Sequence, residues 1–128
     1  MSDFSTLLAV KDLMKPEIVT ASSSSTVQDA AKVMAEKQIS SIVITDADGK
    51  IAGIITETEI VRNVVAAGKN GGSVNTGDVM NRDIHMINGA DSIFDARHKM
   101  SSLGVKHMVV ESDGKPIGII SSTALLGS

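Results

Sequence analysis

The stretch Gly53-Ile54-Ile55-Thr56-Glu57-Thr58-Glu59-Ile60 decides the fold of this chain. Its apolar run, Gly-Ile-Ile, is typical of the end of a buried strand, and Thr56 stands where a helix then begins. Glu59 follows one turn later, so the pair fits a capping box, in which each side chain bonds the other residue's backbone N–H. A helix N-terminus also offers free N–H groups and a positive dipole end to anions and polar ligands. These eight residues alone therefore leave two interpretations open, a helix cap and a ligand site.

A weakened copy of the stretch returns near the end of the chain as Gly118-Ile119-Ile120-Ser121-Ser122-Thr123-Ala124-Leu125. It belongs to a longer duplication, in which Asp12-Leu13-Met14 corresponds to Asp78-Val79-Met80 at an offset of 66 residues. The offset falls to 65 after Ala47, so that the turn Asp48-Gly49 corresponds to Asp113-Gly114. Because loops tolerate single-residue insertions, this pattern predicts two copies of one structural unit.

Each copy predicts the element order β-α-β-β-α, and together they predict a mixed α/β (α+β) fold. The first strand is expected at Ile18-Val19-Thr20 and, in the second copy, at Ile84-His85-Met86. A helix with an apolar stripe follows in each copy, and Ser25 and Asp91 are its expected N-caps. The next two strands form a hairpin, because Asp-Gly favours the positive φ values that tight turns require. The two copies should pack sheet to sheet around a pseudo-twofold axis, since one unit alone buries little surface.

The duplication also sets the expected domain boundaries. They are an N-terminal segment at 1–9, apolar enough to form a helix, a first domain at 10–67, a linker at 68–75 and a second domain at 76–128. The linker is rich in Gly and polar residues and is expected to be flexible. The closing helix of the first domain carries Val61, Val64 and Val65, which are candidates for a contact between subunits.

Composition excludes several classes of function. The chain has 128 residues, 42% of them apolar and only 2% aromatic, with a net charge of −3 and no cysteine. The absence of a basic run argues against nucleic acid and against polybasic membrane attachment. Disulfides, thiol catalysis and thiolate metal sites are excluded. With neither a signal-peptide pattern nor an apolar run of membrane-spanning length, the expectation is a cytoplasmic protein with no membrane span.

Two copies in the same order and at constant spacing resemble a tandem cystathionine-β-synthase (CBS) domain pair, the Bateman module. The resemblance rests on the two Asp-x-Met segments, the first helix of each copy, the Asp-Gly hairpins and Gly-Ile-Ile-Thr/Ser, and it covers residues 10–126. It implies a stand-alone regulatory module that is not an enzyme and requires no cofactor. Such a module binds an adenosine-containing ligand, with AMP, ADP or ATP favoured and S-adenosylmethionine possible. It also implies a homodimer that signals to a separate, unidentified partner protein.

The family's ligand motif is Gly, two apolar residues, Thr or Ser, any two residues, then Asp or Asn, and its hydroxyl and carboxylate hold the ribose. The first copy keeps Gly53 and Thr56 and has Glu59 where Asp is usual, whereas the second copy has Ser121 but Ala124. In the family the other domain supplies the adenine and phosphate contacts. The resemblance therefore places the ligand at Ile54, Thr56, Glu59, Ile84, His85, Val105, Lys106 and His107. A weaker second cleft would be formed by Ile18, Val19, Ile39, Ser40, Ser41 and Ser121.

Three hypotheses follow, and the sequence leaves them open in this order. The first is a ligand sensor, in which Lys106 and His107 bind a phosphate of the ligand rather than form a solvated basic pair. The second is a ligand-free structural CBS dimer with degenerate sites. The third is an enzyme, but the chain contains no Gly-rich phosphate loop, no HExxH and no Gly-x-Ser-x-Gly. No metal site is expected, because the methionines on apolar helix stripes are typical of core packing.

Overall fold

Two separate three-stranded sheets, each accompanied by helices, make up the computed structural model of this protein, which describes residues 8–126. The prediction of a mixed α/β (α+β) fold is confirmed. The predicted N-terminal helix at 1–9 lies almost wholly outside the described residues. In chain order the elements are α1 (Val10–Leu13), β1 (Thr20–Ser22), α2 (Val27–Lys37), β2 (Ser41–Thr45), β3 (Ile51–Thr56), α3 (Glu57–Ile60) with a π-helical continuation (Val61–Val65), a 3₁₀ turn (Gly71–Ser73), α4 (Thr76–Val79), β4 (Met86–Asn88), α5 (Ile93–Leu103), β5 (His107–Ser112), β6 (Lys115–Ser121) and α6 (Ser122–Leu126).

The chain divides into two compact units. The central unit consists of residues 19–84, and the terminal unit combines residues 1–18 with residues 85–128. The units differ from the sequence repeats, because residues 10–18 begin the first repeat but belong to the unit built by the second. Residues 76–84 likewise begin the second repeat and belong to the central unit.

Each unit repeats one sheet topology. In the central unit β2 is the middle strand, parallel to β1 and antiparallel to β3. In the terminal unit β5 takes the same place between β4 and β6. A helix covers each sheet, α2 in the central unit and α5 in the terminal unit, and both helices bury a stripe of three residues. The side chains of the central core are Val27, Ala30, Met34, Ile42, Ile44, Ile55, Val64 and Val79.

A leading segment from the other repeat extends each sheet. We call Val10–Lys15 and Thr76–Asn81 the two leading segments. In the central unit the backbone N–H of Ile54 donates to the Asn81 carbonyl at 2.9 Å, and the Asn81 N–H donates back to Ile54 at 2.8 Å. The equivalent bonds of the terminal unit join Lys15 and Ile119, at 2.9 and 3.1 Å. Each repeat therefore completes the sheet of the other.

The two long helices begin one residue later than predicted. Thr26 caps α2 and Ser92 caps α5, each with its hydroxyl accepting from the N–H three residues on, at 3.1 and 3.0 Å. The predictions of Ser25 and Asp91 were wrong. Ser25 is engaged elsewhere, because its hydroxyl donates to the carbonyl of Ser22 at 2.5 Å.

The first strand of each unit lies two residues later than predicted. β1 covers Thr20–Ser22 and β4 covers Met86–Asn88. The carbonyls of Val19 and His85 still accept from the neighbouring strands, each at 3.0 Å. The predicted segments therefore mark where pairing begins, and the strands extend beyond them.

The predicted linker is bonded to the start of α2. Gly71–Ser73 form a 3₁₀ turn, and the Val74 carbonyl accepts from the N–H of Val27 at 2.9 Å. One residue past the linker, the N–H of Thr76 donates to Ser25 at 2.8 Å. The expected flexible tether is therefore a fixed part of the central unit, because its backbone groups satisfy those at the helix N-terminus.

Replacing the motif glycines by alanine should destabilise the protein. A methyl group at Gly53 would lie 2.8 Å from the Asn81 carbonyl and 2.6 Å from the Met80 sulfur, and one at Gly118 would collide with the Lys15 carbonyl. Overpacking of this kind costs about 1–3 kcal/mol. We expect Gly53→Ala and Gly118→Ala each to lower the free energy of unfolding by such an amount in urea denaturation.

The matched control is Gly71→Ala, where the new methyl group meets nothing closer than 3.6 Å and φ is not positive. This variant should stay within about 0.5 kcal/mol of the parent, as ordinary surface substitutions do. Equal effects at Gly71 and Gly53 would contradict close approach of the leading segment as the reason for glycine.

Fragments should distinguish the compact unit from the sequence repeat. A fragment of residues 19–84 keeps α4 and the Asn81 backbone pair, whereas a fragment of residues 10–67 loses both and loses buried Val79. Burial of a Val side chain alone contributes about 1.5–3 kcal/mol. We therefore expect 19–84 to unfold at higher urea concentration than 10–67, by circular dichroism. A longer control, 10–84, should match 19–84, and a more stable 10–67 would refute the unit boundaries.

Candidate functional site

Thr56 and Glu59 form a closed hydrogen-bonded pair at the end of β3. The Thr56 hydroxyl donates to Glu59 Oε1 at 2.7 Å, and the Thr56 backbone N–H donates to the same oxygen at 2.8 Å. The Thr56 hydroxyl oxygen in turn accepts from the N–H of Thr58 at 3.2 Å. The capping-box interpretation is therefore confirmed, since the cap bonds form in both directions.

The pair is held rigidly and stays within reach of solvent. Thr56 is 9% exposed because it still belongs to β3, where it pairs with Ser41. Glu59 is half-buried on the first turn of α3. Both bonds to its carboxylate use Oε1, which leaves Oε2 for a further donor. The cap and a ligand site are therefore chemically compatible in the same two residues.

The second copy provides only half of this arrangement. Ser121 is half-buried at the end of β6, and its hydroxyl accepts from the N–H of Ala124 at 3.3 Å. The position equivalent to Glu59 is Ala124, whose side chain has no carboxylate to accept from the hydroxyl. The two copies share a helix start and differ in the group that could accept from a diol.

The remaining residues predicted for the main cleft are divided between the units. Ile54 and Ile84 lie in the central unit with the Thr56–Glu59 pair, and His85, Val105, Lys106 and His107 lie in the terminal unit. Both backbone polar groups of Ile54 are bonded to Asn81, and its side chain is buried, with 8% exposed.

The terminal-unit residues of this set surround the start of β5. Val105 is fixed by its N–H, which donates to Met100 at 3.1 Å, and the exposed Lys106 accepts through its carbonyl from Ser122 at 2.8 Å. His107 is half-buried as the first residue of β5, opposite Ser121. His85 is half-buried immediately before β4.

The residues of the weaker cleft are divided in the same way. Val19, Ile39, Ser40 and Ser41 belong to the central unit, while Ile18 and Ser121 belong to the terminal unit. Their backbone groups repeat the pattern of the main set, because the Ser40 carbonyl accepts from the N–H of Glu57 at 3.3 Å, as that of Lys106 accepts from Ser122. The site predictions remain predictions for both clefts.

The structure also contains two grooves that the sequence motifs did not reveal. The central groove, of about 610 Å³, lies between α2 and α3, and the terminal groove, of about 510 Å³, lies between α5 and α6. Each of the nine residues lining one groove has its repeat equivalent lining the other. The sequence did contain a signal for these grooves. It consists of the α2 and α5 positions next to the buried stripe, compared with the closing helix of the same copy.

The closing helix differs from its predicted form. Val64 is 2% exposed and belongs to the central core, so it is not available for a contact between subunits. Val61 and Val65 are 57% and 68% exposed, as the prediction required. The π-helical turn at Val61–Val65 carries one residue to the core and leaves its neighbours outside.

The twofold repeat of strand, helix and hairpin, ending in a hydroxyl at a helix start, defines a pair of tandem α/β domains. The chain belongs to the CBS domain family, whose model matches residues 10–66 and 77–128. The prediction of a tandem CBS pair is confirmed. Tandem CBS domains are commonly regulatory ligand-binding modules.

Similar proteins of known structure share the whole fold. A protein from Pyrococcus horikoshii is 26% identical, with a TM-score of 0.86 over 95% of this chain and 92% of that one. A hexameric CBS-CP12 protein from bloom-forming cyanobacteria is 26% identical, with a TM-score of 0.85 over 93% of this chain and 66% of that one.

Curated relatives are longer than this chain. An uncharacterized protein of Methanopyrus kandleri is 29% identical over 120 residues, which are 93% of this chain and 61% of that protein. A homoserine O-acetyltransferase of Methanohalobium evestigatum is 25% identical over 123 residues, only 24% of its length. Among the described residues, no helix is long and apolar enough to cross a membrane.

Removing the Glu59 carboxylate should destabilise the central unit. Glu59→Ala loses the bonds to the Thr56 N–H and hydroxyl, and loss of such a cap costs about 0.5–2 kcal/mol. The matched control is Glu36→Ala, an exposed helical carboxylate of the same unit that lines neither groove. Urea denaturation should show a clear shift for Glu59→Ala and almost none for Glu36→Ala. Equal shifts would mean that the carboxylate bonds contribute nothing to stability.

Proposed function

We propose that this chain is a non-enzymatic sensor that binds an adenosine-containing ligand, an adenine nucleotide in the first instance, and passes its state to a separate protein. The observation that carries the proposal is the Thr56–Glu59 pair. A cis-diol presents two adjacent hydroxyls, and the pair offers a carboxylate oxygen with open lone pairs beside a positioned hydroxyl. A ribose is the common diol of this geometry, and S-adenosylmethionine remains within the ligand class.

The proposed site uses one main cleft per chain. Hydrogen bonds to charged groups contribute about 1.5–3 kcal/mol, so the loss of one costs on the order of 10- to 150-fold in affinity. Ala124 therefore leaves the second cleft at a large disadvantage. The second cleft, with Ser121 and the backbone around Ser40, is proposed as a weak site.

Phosphate and base contacts complete the proposal. Lys106 is an exposed cation, and His107 stands beside it as the first residue of β5. Both would bind the phosphates, since charge-assisted hydrogen bonds are the stronger ones. Ile54, Ile84, His85 and Val105 would contact the adenine through apolar and ring surfaces. The ligand is reversibly bound and no further cofactor is required.

The sensor is proposed to act as a cytoplasmic homodimer. Support comes from the exposed apolar residues of the closing helices and from the cyanobacterial CBS-CP12 protein, which is described as hexameric. The regulated partner is a separate protein. Neither nucleic acid nor a membrane is proposed as a partner, because the net charge is −3 and no basic run occurs.

One observation favours a second candidate, a structural CBS dimer without ligand. The Thr56–Glu59 pair already satisfies its cap, so the two residues have a role in stability even when nothing is bound. In this alternative the only role of the Glu59 carboxylate is to cap the helix. Ligand binding separates the two proposals directly.

Calorimetric titration with AMP should give about one ligand per chain. Glu59→Ala should abolish binding, whereas Ser121→Ala should leave it nearly unchanged, because only the first copy has a carboxylate. Lys106→Ala should weaken AMP more than adenosine, since only AMP carries a phosphate.

Glu59→Asp is the matched control, because it keeps the carboxylate. It should retain binding, so a loss seen only in Glu59→Ala is not a general effect of substitution. Titrations are run well below the unfolding midpoint of each variant. Two equal sites per chain, or binding that survives Glu59→Ala, would refute the assignment of the cleft, and no binding of AMP, ADP, ATP or S-adenosylmethionine would favour the structural dimer.

A further inference from the structure

The central and terminal grooves have matching apolar surfaces. Met34 corresponds to Met100, Ile60 to Leu125 and Val61 to Leu126, and all six side chains line their grooves. Val61 is 57% exposed and Leu126 is 84% exposed. Apolar side chains that are exposed together beside a groove are typical of an interaction surface. The chain therefore carries the same kind of docking surface twice.

The two grooves differ in charge. Among the described residues that line the central groove, Glu57 alone is charged. The terminal groove is lined by two cations, Arg97 and Lys106, and by no described anion. Lys32, Glu36 and Lys37 also lie on α2 but do not line the central groove. One groove is thus acidic and its repeat equivalent is basic.

The charges occupy two neighbouring positions of the same framework. In the central groove the backbone N–H of Glu57 donates to the Ser40 carbonyl at 3.3 Å. In the terminal groove the N–H of Ser122 donates to the Lys106 carbonyl at 2.8 Å. Ser40 of the central groove therefore corresponds to Lys106, and Ser122 of the terminal groove corresponds to Glu57. The Arg97 guanidinium adds to the basic side while it donates to the Leu125 carbonyl at 2.8 Å.

We propose that the central groove of one chain docks on the terminal groove of a second chain, so that the homodimer is antiparallel. Like grooves in contact would bring Glu57 against Glu57, or Lys106 and Arg97 against their own copies, and like charges across an interface are strongly unfavourable. Unlike grooves bring Glu57 against the two cations. A twofold dimer contains this contact twice by symmetry. The inference rests on the homodimer of the proposed function and is independent of the nucleotide.

Charge reversal tests the orientation by analytical ultracentrifugation without nucleotide. In the antiparallel dimer, Glu57→Lys places a third cation against Lys106 and Arg97 in both contacts and should weaken the dimer by about tenfold or more. Lys106→Glu places two carboxylates together beside the remaining Arg97, so it should weaken the dimer less. The double variant Glu57→Lys/Lys106→Glu restores an opposite-charge pair between positions 57 and 106 and should dimerise better than Glu57→Lys alone. In a parallel dimer Glu57→Lys only exchanges one like-charge pair for another and should dimerise as the parent does, and Lys106→Glu brings anions beside Arg97 and should not weaken that dimer.

The matched controls are Asp48→Lys and Lys115→Glu, which make the same changes of net charge at exposed residues of the two hairpins. Both should dimerise as the parent does. Single groove variants that match these controls would overturn the proposal while leaving the homodimer intact. A parent chain that is monomeric at micromolar concentration would overturn both the antiparallel orientation and the homodimer itself. The proposal of nucleotide binding does not depend on this result and is tested by the titrations.

Cross-linking gives a second measurement that does not depend on charge. The chain has no cysteine, so Val61→Cys and Leu126→Cys each introduce one thiol at the edge of one groove. A short bis-maleimide should join the two variants when they are mixed and should join neither variant to itself. Cross-linking within each variant alone, without cross-linking in the mixture, would establish the parallel dimer and contradict the proposal.

Discussion

The close approach of each leading segment to the hairpin of the other repeat is the constraint on which the fold depends. Two backbone hydrogen bonds join Ile54 to Asn81, and two join Ile119 to Lys15. The approach is close enough that a side chain at Gly53 or Gly118 would meet backbone carbonyl oxygen. This explains the glycine of Gly-Ile-Ile in physical terms: it makes room for the leading segment of the other repeat, independently of any ligand.

The pairing of each leading segment with the other repeat also positions the candidate site. Because the leading segment fixes the middle of β3, the end of this strand and the start of α3 are held in one geometry, and the Thr56–Glu59 pair closes there with bonds of 2.7 and 2.8 Å. A carboxylate held in this way loses little further freedom when a ligand binds, which favours affinity. The cap and the proposed ribose contact are therefore two uses of one arrangement, and the second copy keeps the helix start while it lacks the carboxylate.

Much of this architecture could be predicted from the sequence, because duplicated apolar periods and Asp-Gly turns are local signals. The hairpins, the sheet-covering helices and the capping box appear as expected, and Gly49, Asp113 and Gly114 have the positive φ expected of such turns. The caps at Thr26 and Ser92 were missed although the sequence carries Ser/Thr-x-x-Asp at both places. No local sequence signal indicates that residues 10–18 pack with the second repeat or that residues 76–84 pack with the first, since this packing depends on contacts between distant segments. The grooves escaped prediction for the same reason: they lie between two helices, and their charges differ only when the copies are compared side by side.

Native-state hydrogen exchange tests most directly whether each leading segment pairs with the hairpin of the other repeat. The account predicts that the amides of Asn81 and Lys15 are protected as strongly as those of Ile54 and Ile119, because each forms one half of a two-way backbone pair in a sheet. The exposed turn residue Ala47 provides the fast-exchanging comparison. Exchange of Asn81 and Lys15 at the rate of Ala47, with Ile54 and Ile119 still protected, would contradict the account, because the sheets would then be complete without the leading segments.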